Sequence, residues 1–265
     1  SLAGRKLIFE LYPLNFTEFL TFKQVSINPK STFRKKAKDK NSIRYEKLTP
    51  YYNEFLEFGG FPSVVLEANH ERKRTLLSEI FTSYFEKDAK NLADFKDMSK
   101  LRDLILLLVP RISSRIEILK LASTLSVSRE TIYSYLAFLE QTYFIALLPK
   151  YSASIDRRAA GSKKLYFCDS GIANILGKVS QGQLFEQSVF QNLRADHKLT
   201  YYSKGGGNEI DFIVDNKIAL EAKMVMSNQD VHNLKRRSSG IGVSEHYIVT
   251  SRFTTHEDAL LATCL

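Results

Sequence analysis

Thiols are scarce: Cys168 and Cys264 are the only cysteines, and they have no metal-ligand spacing. That excludes a disulfide framework and a cysteine-based zinc site, and it fits a reducing, cytoplasmic location. No run of eighteen apolar residues occurs, which leaves no transmembrane helix and no membrane partner. The opening Ser1-Leu-Ala-Gly-Arg5 reads as neither a start methionine nor a signal peptide. Gly-x-x-x-x-Gly-Lys-Ser/Thr is missing throughout, so no loop cradles phosphate, and ATP binding is not expected of this chain.

What is present is a chain of 265 residues with 44% hydrophobic and 12% aromatic side chains. That composition belongs to an ordinary globular protein, long enough for two or three domains. The formal net charge of +9 favours polyanions as partners. Its distribution is uneven. Lys30-Ser-Thr-Phe-Arg34-Lys35-Lys36-Ala-Lys38-Asp-Lys40 reads as a solvated linker. Further clusters are Arg157-Arg158 with Lys163-Lys164, and Lys235-Arg236-Arg237. Glu71-Arg-Lys-Arg74 reads as a solvated helix face.

The richest chemistry lies near the C-terminus. Glu209-Ile-Asp-Phe-Ile-Val214 and Lys217-Ile-Ala-Leu-Glu-Ala-Lys223 both alternate apolar and polar, the pattern of half-buried strands joined at Asp215-Asn216. For Ile210, Phe212 and Val214 to share a face with Ile218, Leu220 and Ala222, Phe212 must oppose Leu220. The turn must then have an odd number of residues, because a slip of one inverts every side chain. This register sets Asp211 opposite Glu221, with Cβ atoms about 4.5–5.5 Å apart, and Lys223 two residues on. Two carboxylates so placed can share a divalent cation. Gly205-Gly-Gly207 precedes the first strand as a turn. Upstream, Leu184–Leu193 is an amphipathic helix with Phe185, Val189 and Leu193 on one stripe and Glu186 beside it. The competing reading is a surface hairpin with cross-strand ion pairs.

A helix with Glu, then Asp, then Glu-x-Lys on successive strands resembles the PD-(D/E)xK nuclease core, through Glu186, Asp211, Glu221 and Lys223. The resemblance implies phosphodiester cleavage with Mg2+ or Mn2+. Asp211 and Glu221 would hold the cation, with Glu209 as an additional ligand and Glu186 helping through water. Lys223 would orient or deprotonate the attacking water. No proline precedes Asp211, a departure from the simplest form of the motif.

The middle of the chain reads as a winged helix. Leu104–Val109 is an apolar helix stopped by Pro110, and Ser113-Ser114 caps a helix from Arg115 through Ala122 with Leu119 and Ala122 facing inward. After the link Leu125-Ser126-Val127, Ser128 caps another helix with Ile132, Tyr135, Leu136 and Leu139 buried. Tyr143–Leu148 and Lys164–Cys168 are strand-like, separated by a polar, basic tip at Ser154–Ser162. Double-stranded DNA is the expected partner, with Arg129 and Tyr133 on the recognition helix and Arg157, Arg158, Lys163 and Lys164 on the wing. A helical interaction module without nucleic acid is the alternative.

The first hundred residues are mainly helical. Lys6–Leu11 reads as a short strand, and Asn15 or Thr17 caps a helix after Pro13. Gly59-Gly60 reads as a helix stop, and Asp169 as the N-cap of a helix beginning near Gly171. Leu2-Ala-Gly-Arg5, Leu11-Tyr-Pro-Leu14, Glu18-Phe-Leu20, Gly59-Gly-Phe-Pro62, Tyr84–Asp88 and Leu165–Gly171 together resemble a family of prokaryotic AAA-type ATPases with a C-terminal domain of unknown function. The resemblance covers nearly the whole chain. It implies a multidomain α+β and α/β chain: residues 1–25 closing an ATPase domain, 26–100 helical, 101–176 a winged helix-turn-helix, and 177–265 a mixed-sheet, restriction-endonuclease-like domain. ATP would then act only in the full-length protein, whose Walker motifs would precede Ser1, and homo-oligomers would form through that ATPase domain. Two functions stay open: a magnesium-dependent nuclease, or a non-catalytic DNA-binding module with a degenerate nuclease fold. An assembly protein whose basic surface serves solubility is a third.

Overall fold

The computed structural model describes residues 10–26, 31–89, 98–152, 154, 161–205 and 207–265. Helix α1 (Phe16–Phe22) starts where Asn15 accepts from the Glu18 N–H while Glu18 returns the bond, a reciprocal cap that follows Pro13 as expected. The strand expected at Lys6–Leu11 falls mostly outside the described residues. The segment read as a solvated linker instead holds helix α2 (Phe33–Lys38), with Phe33 and Ala37 buried. Its basic composition hides two apolar anchors one turn apart, and these suffice to dock it.

Helix α3 (Ser42–Phe58) stops at Gly59, whose φ of 75° favours glycine. Then come α4 (Pro62–Leu66) and α5 (His70–Ser83), which runs into a π-helical turn at Tyr84–Ala89. Lys73 on α5 departs from the solvated-face reading. It is 1% exposed, with Nζ bonded to the Val64 carbonyl and 2.9 Å from Glu54.

Helix α6 (Met98–Leu108) ends in a 3-10 turn containing Pro110. Helix α7 (Ile118–Leu125) begins three residues later than expected. Ser113 has φ 61° and lies in a turn, its N–H donating to the Leu165 carbonyl while the Ser114 carbonyl accepts from Leu165 N–H. Arg115 then bridges Lys164 as extended chain, so the helix starts only after it, with Glu117 at its N-cap. Leu119 consequently faces solvent, at 67% exposure. Helix α8 (Arg129–Gln141) follows, capped by Ser128 and burying Ile132, Tyr135, Leu136 and Leu139 as expected. Strands β1 (Ile145–Leu148) and β2 (Lys164–Phe167) pair antiparallel, Ile145 opposite Phe167.

Helix α9 (Ser170–Leu176) is capped by Asp169, and α10 (Gln181–Leu193) buries Phe185, Val189 and Leu193. The remaining elements are β3 (Leu199–Ser203), β4 (Glu209–Val214), β5 (Ile218–Lys223), α11 (Asn228–Ser239), β6 (Glu245–Thr250) and β7 (Ala259–Leu261). These five strands form a mixed sheet in the order β3-β4-β5-β6-β7, antiparallel through β5 and parallel beyond it. The protein is therefore a mixed α+β structure, with a helical region and a mixed five-stranded sheet.

One core lies among α5 to α9, with β1 and β2. A second covers one sheet face and joins Phe16, Phe19 and Phe55 to Phe185, Val189, Phe212 and Leu220. The third, on the opposite face, packs Val231 and Leu234 of α11 against Ile213, Ala219 and Ile248. No described helix is long and apolar enough to cross a membrane.

Candidate functional site

The hairpin β4–β5 has the register that the apolar pattern requires: Phe212 opposes Leu220 and Val214 opposes Ile218. Its turn has three residues, with Asp215 and Asn216 both in the left-handed region at φ 52° and 58°. Asx residues tolerate that conformation because their short side chains bond locally. Strand β5 is central, as its apolar run suggests.

One feature differs from simple alternation. Thr200 opposes Ile213 and Tyr202 opposes Ile210, so Asp211 and Phe212 together stand opposite Tyr201 alone. This is a bulge, and it re-aims side chains. Ile210 joins the core under α11, whereas Phe212 joins the core under α10. Asp211 is turned toward β2 and α10, where its Oδ1 lies 3.0 Å from Lys164 Nζ, while the β4–β5 register beside it stays the expected one. Asp211 Oδ2 still accepts from the Ala222 N–H at 3.0 Å, which holds it against β5 beside Glu221.

At the centre of the acids lies an amine that was expected on the DNA-binding wing. Lys164 of β2 is 1% exposed, and its Nζ is 2.7 Å from Glu186 Oε1, 2.9 Å from Glu209 Oε1 and 3.0 Å from Asp211 Oδ1. It cannot also contact a DNA backbone from there. Tyr166, two residues on and on the same strand face, donates its hydroxyl to Glu186 at 2.7 Å. A lysine at the head of the apolar run Leu165–Cys168 was the signal: a strand buried on both faces tolerates a cation only if acids meet it.

Glu221 has separate partners. Lys223 Nζ lies 2.9 Å from one oxygen and Arg237 of α11 lies 2.7 Å from the other. Arg237 also donates to the Glu209 carbonyl, so the basic cluster at Lys235–Arg237 divides, with Lys235 and Arg236 exposed and Arg237 turned inward.

The electrostatics follow from burial and crowding. Burial, then the charge of Asp211, raises Glu186 to about 7. The same two causes raise Glu221, against the pull of Lys223 and Arg237. Burial works against the charge of Lys164, but Asp211, Glu186 and Glu209 outweigh it and hold the amine above its ordinary value. Lys223 is likewise held above its ordinary value by Glu221, burial notwithstanding. That pairing favours the charged form of the amine.

All four acids offer hard carboxylate oxygens, the donor type that suits Mg2+ or Mn2+. Among the described residues no three His, Cys, Asp or Glu side chains form a ready ligand set. Glu186, Glu209 and Asp211 turn to Lys164 instead.

Of the residues expected to touch DNA, Arg129 and Tyr133 are exposed on α8, and Tyr133 reaches 60% exposure. Lys163 is 42% exposed and lies 3.6 Å from Glu140. Arg157 and Arg158 lie outside the described residues.

An uncharacterized protein of Methanocaldococcus jannaschii is 31% identical over 225 residues, covering 81% of this chain and 48% of its own length. An uncharacterized protein of Haemophilus influenzae is 30% identical over 220 residues, covering 80% and 51% respectively. The chain thus spans about half the length of the curated relatives it matches. No solved structure matches it. The family described as "Domain of unknown function (DUF8612)" covers residues 49–183, just over half of the chain, and the chain belongs to that family.

Proposed function

We propose that this chain is the DNA-binding and magnesium-dependent nuclease portion of a larger AAA-type ATPase. The observation that carries the reading is the convergence of Asp211, Glu186 and Glu209 from two elements on one point, with the Glu221–Lys223 pair on the adjoining strand. The order α10, three antiparallel strands, α11 and a parallel strand supports a PD-(D/E)xK-like domain. The order α6, an extended segment, α7, α8 and a two-stranded hairpin supports a winged helix. ATP hydrolysis would belong to parts of the full-length protein outside this chain.

Asp211 and Glu221, with Glu209, would hold a divalent cation, and Glu186 would fix water beside it. When bound, that cation supplies the positive charge that phosphodiester hydrolysis needs in its transition state. Lys223 would orient the attacking water, and Arg237 keeps the Glu221 carboxylate in place. Arg129, Tyr133 and Lys163 would grip duplex DNA in a salt-dependent way.

Purified protein should nick supercoiled plasmid with magnesium or manganese, and Glu221→Ala or Lys223→Ala should each lower the rate at least about 100-fold. Full activity in both variants would remove the site. A protein that binds duplex with steep salt dependence yet never cleaves would instead be the non-catalytic module, a reading favoured by the lysine seated among the acids.

A further inference from the structure

The wing strand contributes a charge to the acidic pocket, and the local balance shows what that charge does. With all four acids ionised, Glu186, Glu209, Asp211 and Glu221 face Lys164, Lys223 and Arg237, which leaves one net formal negative charge. With the Lys164 amine withdrawn two remain, the charge that one divalent cation neutralises. Arg237 and Lys223 are committed to Glu221, whereas Lys164 alone spans Glu186, Glu209 and Asp211.

We propose that Lys164 is the resident counter-ion of this pocket, and that a divalent cation binds Asp211 only by displacing the Lys164 amine. The inference rests on the nuclease reading, because it supposes a cation at Asp211. The amine ends a flexible four-carbon stem, so its displacement needs no movement of the strand. The backbone of β2 could not follow in any case, since it is paired with β1 on one side and with Ser113–Ile116 on the other. Lys164 is thus a positioning residue. It keeps mutually repelling carboxylates together in the absence of metal, and it sets how much metal is needed to fill the site.

The test is manganese binding, followed by the paramagnetic signal of free Mn2+ together with thermal melting, in wild type, Lys164→Met and Lys164→Gln. Loss of the competing charge should tighten Mn2+ binding at least about tenfold in both variants. In chelator both should melt below wild type, and Mn2+ should raise their melting temperature more than it raises that of wild type. Adding Asp211→Asn to Lys164→Gln should abolish the gain. Lys164→Gln keeps a hydrogen-bond donor among the acids, so it serves if the Met variant fails to fold. Equal Mn2+ affinity in wild type and variants, lost in each on Asp211→Asn, would overturn the role of Lys164 and leave the nuclease reading standing. No Asp211-dependent binding in any protein would overturn the nuclease reading itself, and the inference with it.

Discussion

Asp169 shows how much one buried side chain can organise. Its carboxylate is completely buried and accepts from Gly60 N–H at 2.7 Å, Gly171 N–H at 2.8 Å, Gln191 Nε2 at 2.9 Å and Ile172 N–H at 3.3 Å. It joins the end of α3, the start of α9 and the flank of α10. Glycine at 59 is required for this, since a Cβ there would lie 1.8 Å from Asp169 Oδ1. Replacing Asp169 by Ala would orphan four donors at once, so it should cost at least about 3 kcal/mol in urea unfolding. Asp169→Asn should lose nearly as much, because its NH2 group would face donors. A loss below about 1 kcal/mol would show that water takes over these bonds. Glu186 gives a pH signature at the same scale. Its carboxyl is raised from the ordinary 4.5 to about 7, so between those values the folded state holds a proton that the unfolded state has released. Stability therefore falls as pH rises through that window. Melting temperatures of wild type and Glu186→Gln, compared from pH 5 to pH 7, should show that slope in wild type and its loss in the variant.

Among the elements, those legible in the sequence were the ones fixed by local pattern. The stripes of α8 and α10 and the Asn15, Ser128 and Asp169 caps follow from side chains that meet within one turn. The β4–β5 register followed because pleat alternation leaves one solution. What was hidden depends on distant partners. The bulge at Asp211–Phe212 exists only against Tyr201, and the inward course of Lys164 only against acids from α10 and β4. The extended segment before α7 needs Lys163 and Leu165 as pairing partners, and no helical propensity at Ser113–Ile116 reveals them. Helix α2 was obscured by charge. Since Phe33 is buried against the second core, Phe33→Ala should destabilise by about 3 kcal/mol, whereas a solvated linker would register within about 0.5 kcal/mol. Chemical denaturation separates the two.

At the scale of the whole molecule, the sequence-adjacent regions share cores rather than dividing them. Tyr166 of β2 stacks on Phe190 of α10 with centroids 4.3 Å apart, and Tyr52 of α3 bonds Ser188 of α10 at 2.7 Å. The helical N-terminal region, the β1–β2 hairpin and the sheet are thus bound through α10. The flanks of the sheet carry a consequence of their own. Tyr201 on the outer strand β3 exchanges backbone bonds with Pro149 and Tyr151, while beyond β7 the amines of Lys40 and Lys36 take the carbonyls of Ala259 and Leu265. Exposed strand borders template fibril growth and chain swapping. Here one border is stitched over by the hairpin's exit and the other is guarded by lysines, which protects the sheet against extension by a neighbouring copy.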